Sequence, residues 1–439
     1  MNKILLIGNG AREHAIAETL DRSRHEVEIY AVGGAVNPGI KELSTKYLVA
    51  DVCDLDAIRD FALKVKPDFA VVGPEAPIAA GVVDMLLEIE IHSASPLQTV
   101  GRLESSKSFA RDLLEKYKIP GNPRFKVFYD DEGLNNFFEQ LGDSGFVVKA
   151  DGLKGGKGVK VQGDHLRDNE EGIQYALECL SEGGRVVVEE KLVGQEFSLM
   201  SFCDGLNIAS MPVVQDHKRA YEGDTGPNTG GMGTYSDADH SLPFLTNEDI
   251  KAAESITKNV ARALFEETGC YFKGVMYGGF MVTKSGVKLI EYNARLGDPE
   301  AMNVLPLLKT DFVDICEAII SGTLEDLDVE FEKKATVCKY VVPKGYPDSP
   351  VKNAKIEIGE LPSGVNVYFA SVDSKDDGLY LCGSRAVAMV GIADNLDEAE
   401  KLAEAGARSV KGPVFHRPDI GTNLLIDKKV KMMESLRRG

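Results

Sequence analysis

The sequence predicts a multidomain protein that combines α/β and α+β architecture. Three observations carry this expectation. At 439 residues the chain has room for roughly three domains of about 150 residues each. Strand and helix signals alternate as far as residue 102, the pattern of a parallel sheet with helices on its faces. Beyond residue 330 short strands follow one another and end in a helix, the pattern of an α+β unit. The expected divisions are therefore 1–102, 103–329 and 330–439.

In the first region, residues 3–7 form a short apolar strand, and Asn9 and Gly10 turn the chain into a helix near Arg12. Residues 27–32 make a second strand. Leu55, Ile58, Phe61, Ala62 and Val65 recur at helical spacing behind Asp54, a suitable N-cap. Residues 69–72 are a third strand, ended by Gly73 and Pro74. In the second region a helix over 107–117 stops at Ile119 and Pro120. Short strands at 146–149, 159–161 and 185–190 flank a glycine-rich turn, predicting a small, largely antiparallel lid over about 123–192. Residues 277–282 and 288–293, joined through Lys284, Ser285 and Gly286, read as a hairpin. The third region offers strands at 336–342, 365–370, 380–382 and 385–390. A closing helix over 396–410 starts after Asp394 or Asn395.

Composition excludes several classes of function. Hydrophobic residues make up 43% of the chain, enough for an ordinary globular core. The charge balance, 50 − 69 = −19, comes without any basic stripe, so no nucleic-acid partner is expected. The seven cysteines lie at least 22 residues apart, which leaves no CxxC pair and no disulfide framework. The opening MNKILLIGNG has too short an apolar run for a signal peptide, and no stretch could span a bilayer. A cytoplasmic protein with no membrane partner is the expectation.

Several constellations carry chemistry. Gly152, Leu153, Lys154, Gly155, Gly156, Lys157 and Gly158 form a loop whose backbone N–H groups can approach phosphate oxygens, with lysines to neutralise them. It is not a Walker loop, since the spacing is GxxxGK and Gly158 replaces the usual hydroxyl residue. Lys149 ends the preceding strand over a partly apolar face. The strand 186–190 runs into a linker able to offer backbone groups to an adenine edge, with Glu196 placed to accept ribose hydroxyls. In KLIEYNAR (288–295), period two puts Glu291, Asn293 and Arg295 on one face and Ile290 and Tyr292 on the other. Carboxylate and amide oxygens side by side suit a hard divalent cation shared with phosphates. Asp216, His217, Lys218 and Arg219 precede a glycine-rich loop holding Asn228, Thr229 and Gly230, adaptable donors with positive charge for a phosphosugar. Finally, Gly8, Asn9 and Gly10 open a helix whose N-terminus, with Arg12, favours an anion. Glu13 in place of a third glycine, and a second strand without a terminal acid, argue against a nicotinamide site.

Together these segments resemble the phosphoribosylamine–glycine ligase family of the ATP-grasp superfamily. The resemblance runs along the whole chain: GNGAREHA (8–15), VGPEAP (72–77), SK (106–107), VKADGLKGGKGV (148–159), VVVEEKLVGQEFS (186–198), QDHKR (215–219), DTGPNTGGMG (224–233) and EYNARLGDPE (291–300). It implies an ATP-grasp fold with an N-terminal parallel-sheet pre-ATP-grasp domain and a C-terminal α+β domain. It implies ATP contacts at Lys107, Lys149, Gly155, Gly156, Lys157, Glu189, Glu190, Lys191, Leu192 and Glu196, and Mg²⁺ or Mn²⁺ at Glu291 and Asn293. Glycine and 5-phosphoribosylamine would meet Gly10, Arg12, Glu13, Glu75, Asp216, His217, Lys218, Arg219, Asn228, Thr229, Gly230, Arg295, Asp298, Pro299 and Glu300. Arg295 would stabilise an acyl phosphate and Asp216 would hold an amine. The expected assembly is a monomer or weak homodimer. Four positions depart from the family: Ala11 where glycine is usual, Lys154 and Gly155 where alanines are typical, and Gln195 where an acid is frequent. An ATP-grasp ligase for another acid and a non-catalytic nucleotide sensor are the competing readings.

Overall fold

A computed structural model describes residues 2–154 and 158–438. The first sheet is wholly parallel, in the order Ser44–Val49, Val27–Gly33, Asn2–Ile7, Phe69–Val72. Ile4, Leu5, Leu6 and Ile7 are all fully buried, as a strand covered on both faces requires. The strand Ser44–Val49 carries only partial burial at this sheet's edge, and its weak apolar signal hid it from the sequence reading.

Helix Lys107–Lys116 leads into a second unit. Its N-cap is Ser106, whose hydroxyl oxygen accepts the Phe109 N–H. Four antiparallel strands follow in the order Phe125–Phe128, Val186–Glu190, Phe146–Ala150, Val159–Val161. Helices Leu134–Leu141 and Asn169–Gly183 cover them. Phe128, Phe138, Phe146, Val148, Val186 and Val188 give this unit a hydrophobic core of its own. A unit with a private core can move as one body.

The central sheet runs Ile208–Ser210, Gly194–Cys203, Gly274–Thr283, Gly286–Asn293, and the expected hairpin is its edge. Helix Asn247–Thr268, opened by a Thr246–Asp249 capping box, packs behind it. The third sheet crosses the expected boundary at 329/330. Gly233–Ser236 pairs with Ala335–Pro343, which pairs in turn with Val387–Ala393 and Val365–Phe369. The chain also ends differently. Helix Leu396–Ser409 is followed by Asn423–Arg438, which carries Ile426 and Met433 back onto the core of the central sheet. The tail is therefore woven into the middle of the molecule. No helix among the described residues is long and apolar enough to cross a membrane.

Two joints lock the first sheet unit to the rest. Ser23 and the Arg24 N–H bond Asp311, while His25 Nε2 lies 2.7 Å from Asp314. His14 is buried in the other joint. Its Nδ1 accepts the Phe369 N–H at 3.0 Å, and its ring stacks on Phe369. Burial lowers the His14 pKa from 6.5 to about 4, and that of His217 to about 3. Both rings stay neutral when folded but take a proton when unfolded. Their stabilising contribution is therefore complete above pH 6.5 and is lost as pH falls toward 4. Urea titrations of the His14→Gln variant between pH 6 and 5 are expected to show a slope of stability against pH flatter by up to about 1.4 kcal/mol per pH unit. A slope equal to that of the parent protein would contradict the neutral assignment.

Candidate active site

Strand Gly286–Asn293 brings Glu291 to a pocket lined also by Glu196, Asp216, Lys218 and Tyr277. Strict alternation would send Ile290 to the far face. Instead the pairing slips between Gly279 and Phe280, leaving Ile290 without a direct partner. This bulge brings Ile290 into the same pocket as Glu291. It also frees the Ile290 carbonyl, which accepts from Lys149 Nζ at 2.8 Å and Arg111 Nη2 at 2.7 Å.

Lys149 and Glu189 come from adjacent strands of the lid sheet. Both carboxylate oxygens of Glu189 are occupied. Arg111 Nε lies 2.6 Å from one oxygen, and Arg111 Nη2 and Lys149 Nζ lie 3.0 and 2.8 Å from the other. Burial pushes the Glu189 carboxyl up, but Arg111 and Lys149 outweigh it and hold the group ionised. For Lys149 burial wins, and its pKa falls below the usual lysine range despite Glu189. The Glu189 side chain is thus engaged within the protein. Arg111, absent from the sequence reading, is the reason. Neighbouring side chains are also engaged: Glu190 accepts the Arg124 N–H at 2.8 Å, and Lys191 donates to the Gln162 carbonyl at 2.7 Å. The N–H groups of Glu190 and Lys191 bond Arg124 and Gly145 carbonyls, so Leu192 carries the first linker N–H without a partner among the described residues. Lys107 donates to the Gly152 carbonyl at 2.9 Å. Gly155, Gly156 and Lys157 lie outside the described residues.

Charge alternates around the pocket. Lys218 Nζ is 3.5 Å from Glu291 Oε1. Glu291 raises the Lys218 pKa above its usual range. Burial pushes Glu291 up, but Lys218, Lys149, Lys107 and Arg295 together hold it at about 2. Glu291 is thus an anion at neutral pH. Asn293 Oδ1 accepts one bond, from Arg295 Nη2 at 3.2 Å, and keeps a second lone pair. These oxygen donors fit a hard divalent cation. Burial, then the neighbouring Glu300, raises the Asp216 carboxyl well above its ordinary value. Glu300 itself accepts the Tyr277 hydroxyl at 2.6 Å. Glu196 is exposed beside this group, while Gln195 turns away toward Met432. The glutamine at 195 therefore leaves the pocket's acid unchanged.

His217 alternates away from Asp216 and Lys218. It is buried beside Tyr235, and neither ring nitrogen finds a hydrogen-bond partner among the described residues. His217 is thus not among the residues that line the pocket with Asp216 and Lys218. Arg219 also turns aside, donating to the Gly226 carbonyl and pairing with Asp164 at 2.9 Å, and Asn228 faces His165. Thr229 closes the loop by donating to the Lys218 carbonyl at 2.9 Å.

Arg295 is enclosed by acids. Glu75 lies 3.3 Å from its Nε and Glu104 2.9 Å from its Nη2. Burial opposes ionisation of Glu75, yet Arg295 and Arg12 bring its pKa to about 2. Glu104, which the sequence reading passed over, also accepts the Ala294 N–H at 2.7 Å. The turn beyond is held by Arg385, another residue not anticipated. Its Nη1 donates to the carbonyls of Gly230, Gly231 and Asp298, and its Nη2 is 3.2 Å from Asp298 Oδ1. Gly231, at φ +115°, lies so close to Pro299 and Asp216 that a side chain there would collide with them.

At the N-terminal motif Glu13 supplies an internal anion beside Gly10 and Arg12. Glu13 Oε2 accepts the Gly10 N–H at 2.6 Å, and its Oε1 pairs with Arg12 Nε at 2.5 Å. Arg12 Nη1 donates to the Leu296 carbonyl. Gly8 and Gly73 leave the room that Glu13 fills. Gly10 is extended at φ −87° and Ala11 begins the helix, so alanine at 11 meets no left-handed strain.

Sequence models of three phosphoribosylglycinamide synthetase domains match the chain in order: the N domain over 2–104, the ATP-grasp (A) domain over 105–301 and the C domain over 336–423. The chain belongs to the phosphoribosylglycinamide synthetase family. The phosphoribosylamine–glycine ligase of Methanocaldococcus jannaschii is 52% identical, over 99% of this chain and 100% of its own length. That of Methanosarcina acetivorans is 48% identical, over 100% of this chain and 98% of its own. A crystal structure of the Thermotoga maritima phosphoribosylamine–glycine ligase aligns at TM-score 0.79 and 30% identity, covering 95% of this chain and 99% of that one. The biotin carboxylase domain of Hydrogenobacter thermophilus 2-oxoglutarate carboxylase shares the fold at TM-score 0.73 and 16% identity, covering 99% of this chain and 94% of its own. The N-terminal parallel sheet and the ATP-grasp architecture expected from the sequence are both present in this family member.

Arg111 can be tested apart from chemistry. Replacing it by Met leaves Glu189 buried with Lys149 alone, and denaturant unfolding is expected to show a loss of about 3–5 kcal/mol. A loss below about 1 kcal/mol would mean that the pair is not closed from water.

Proposed function

We propose that this chain is an ATP-dependent ligase joining glycine to 5-phosphoribosylamine, with release of ADP and phosphate, in purine biosynthesis. The observation that carries the reading is the pocket lined by Glu291, Lys218, Asp216 and Glu196, with Lys149 fastened to the carbonyl of its lining residue Ile290, in a member of this family. The substrates are cytoplasmic metabolites, and the reading places the enzyme there.

Glycine's carboxylate is a poor electrophile, so the γ-phosphoryl group of ATP is transferred to it first. The phosphoribosylamine nitrogen then attacks the acyl carbon, and phosphate leaves. Lys107 and Lys149 offset triphosphate charge at the base of the lid, and Leu192 offers its N–H to the adenine edge. Glu196 accepts from the ribose. Mg²⁺ or Mn²⁺, held by Glu291 and Asn293, supplies further neutralisation when bound. Arg295, oriented by Glu75 and Glu104, stabilises the acyl phosphate oxygens. Asp216 holds the ammonium of glycine or the incoming amine, and the lid excludes water from the acyl phosphate.

The direct test measures phosphate release with ATP, Mg²⁺, glycine and freshly made phosphoribosylamine, omitting each in turn. Full turnover is expected only with all four present, and D-alanine or bicarbonate is not expected to replace glycine. Turnover with either substitute in glycine's absence would overturn the assignment of the acid. In the same assay Arg295→Ala is expected to lower kcat on the order of 10² or more. Unchanged turnover would remove Arg295 from the chemistry.

A further inference from the structure

The hairpin formed by Arg219–Tyr221 and Thr225–Asn228 touches the lid. Its far side is fixed to the C-terminal segment. Buried Arg417 donates to the Arg219 carbonyl at 3.0 Å and to Asp224 at 2.8 Å, and the Gly223 N–H reaches Asp419. Its two ends are continuous with the pocket. Lys218, beside Glu291, precedes it, and Thr229, closing on the Lys218 carbonyl, follows it. Toward the lid it presents Arg219, whose Nη1 is held by the Gly226 carbonyl while its Nη2 sits 2.9 Å from Asp164. Next to this pair, His165 Nε2 lies 3.5 Å from the Asn228 amide. The His165 ring is itself oriented, since Nδ1 accepts the Val161 N–H at 3.2 Å. His165 and the Asn228 amide nitrogen are thus neighbours across the seam between this hairpin and the lid.

We propose that Asp164 and Arg219, with His165 and Asn228 beside them, form a latch that couples closure of the nucleotide lid to the hairpin framing the acceptor site. The proposal rests on the ligase reading above. Asp164 and Arg219 are positioning residues. They lie outside the pocket and act by keeping the lid down while the acyl phosphate awaits the amine. The strength of the pair suits that duty. Arg219 and Asp164 are 23% and 46% exposed, and an exposed ion pair shifts an open–closed equilibrium by only about two- to fivefold. Such a latch favours closure without blocking product release.

The test compares Asp164→Lys with the double exchange Asp164→Lys, Arg219→Asp. The first readout is the ratio of ADP released to amide product formed. The second is protection of the lid from amide hydrogen exchange with a non-hydrolysable ATP analogue and Mg²⁺. Asp164→Lys is expected to raise KM for ATP and the ADP-to-product ratio by about two- to fivefold, and to lower lid protection similarly. The double exchange is expected to restore all three. Raising salt is expected to weaken coupling in the parent protein and not in Asp164→Lys. Unchanged ratio and protection in Asp164→Lys, or no recovery in the double exchange, would overturn the latch. The exchange measurement needs no turnover, so a failure of the ligase reading would show separately, as absence of amide product from the parent protein.

Discussion

The contact on which the site depends is the one between the Lys149 ammonium and the Ile290 carbonyl. It exists because the strand carrying Glu291 slips by one residue opposite Gly279 and Phe280, turning a ladder carbonyl outward. Arg111 shares that carbonyl and closes on Glu189, so one strand of the lid is fastened to the central sheet one residue from the candidate metal ligand. A buried network of this kind is costly unless every member is satisfied, and here each is. The result is a fixed distance between the base of the lid and the acid of the pocket.

Charge balance governs the surrounding groups. A net charge of −19 would repel a triphosphate and a phosphosugar, yet Lys218, Lys149 and Arg295 all lie near enough to Glu291 to lower its carboxyl. Each cation is kept ionised or oriented by an acid: Glu189, Glu291, and Glu75 with Glu104. The acids themselves are divided. Four cations hold the Glu291 carboxyl low, whereas burial and then Glu300 raise that of Asp216. The surroundings thus shift two carboxylates of one pocket in opposite directions.

Much of this was legible along the chain. The parallel sheet followed from its apolar runs, and the hairpin from Lys284, Ser285 and Gly286. The shared face of Glu291 and Asn293 followed from period two. What the sequence concealed was long-range pairing. Arg111 sits 78 residues from Glu189, and Arg385 lies 155 residues from the Gly230 carbonyl it bonds. Neither stands in a motif. The bulge at Ile290 left no trace either, because a one-residue slip changes partners and not composition. Glu13 was read as an obstacle to a dinucleotide, and its use as the internal cap of its own helix depends on space left by Gly73, distant in the chain. The sheet crossing residue 330 was hidden for the same reason: Gly233–Ser236 has no strand signal until Ala335–Pro343 lies beside it.

The central claim is that Lys149 and Glu291 act on one bound metal–triphosphate. A double-mutant cycle on the affinity for Mg²⁺–ATP tests it, using Lys149→Met, Glu291→Gln and both together. Coupling of about 1 kcal/mol or more between the two substitutions is predicted, because each removes a contact to the same bound group. Additive losses, within about 0.5 kcal/mol, would place the two residues at independent sites and contradict the account.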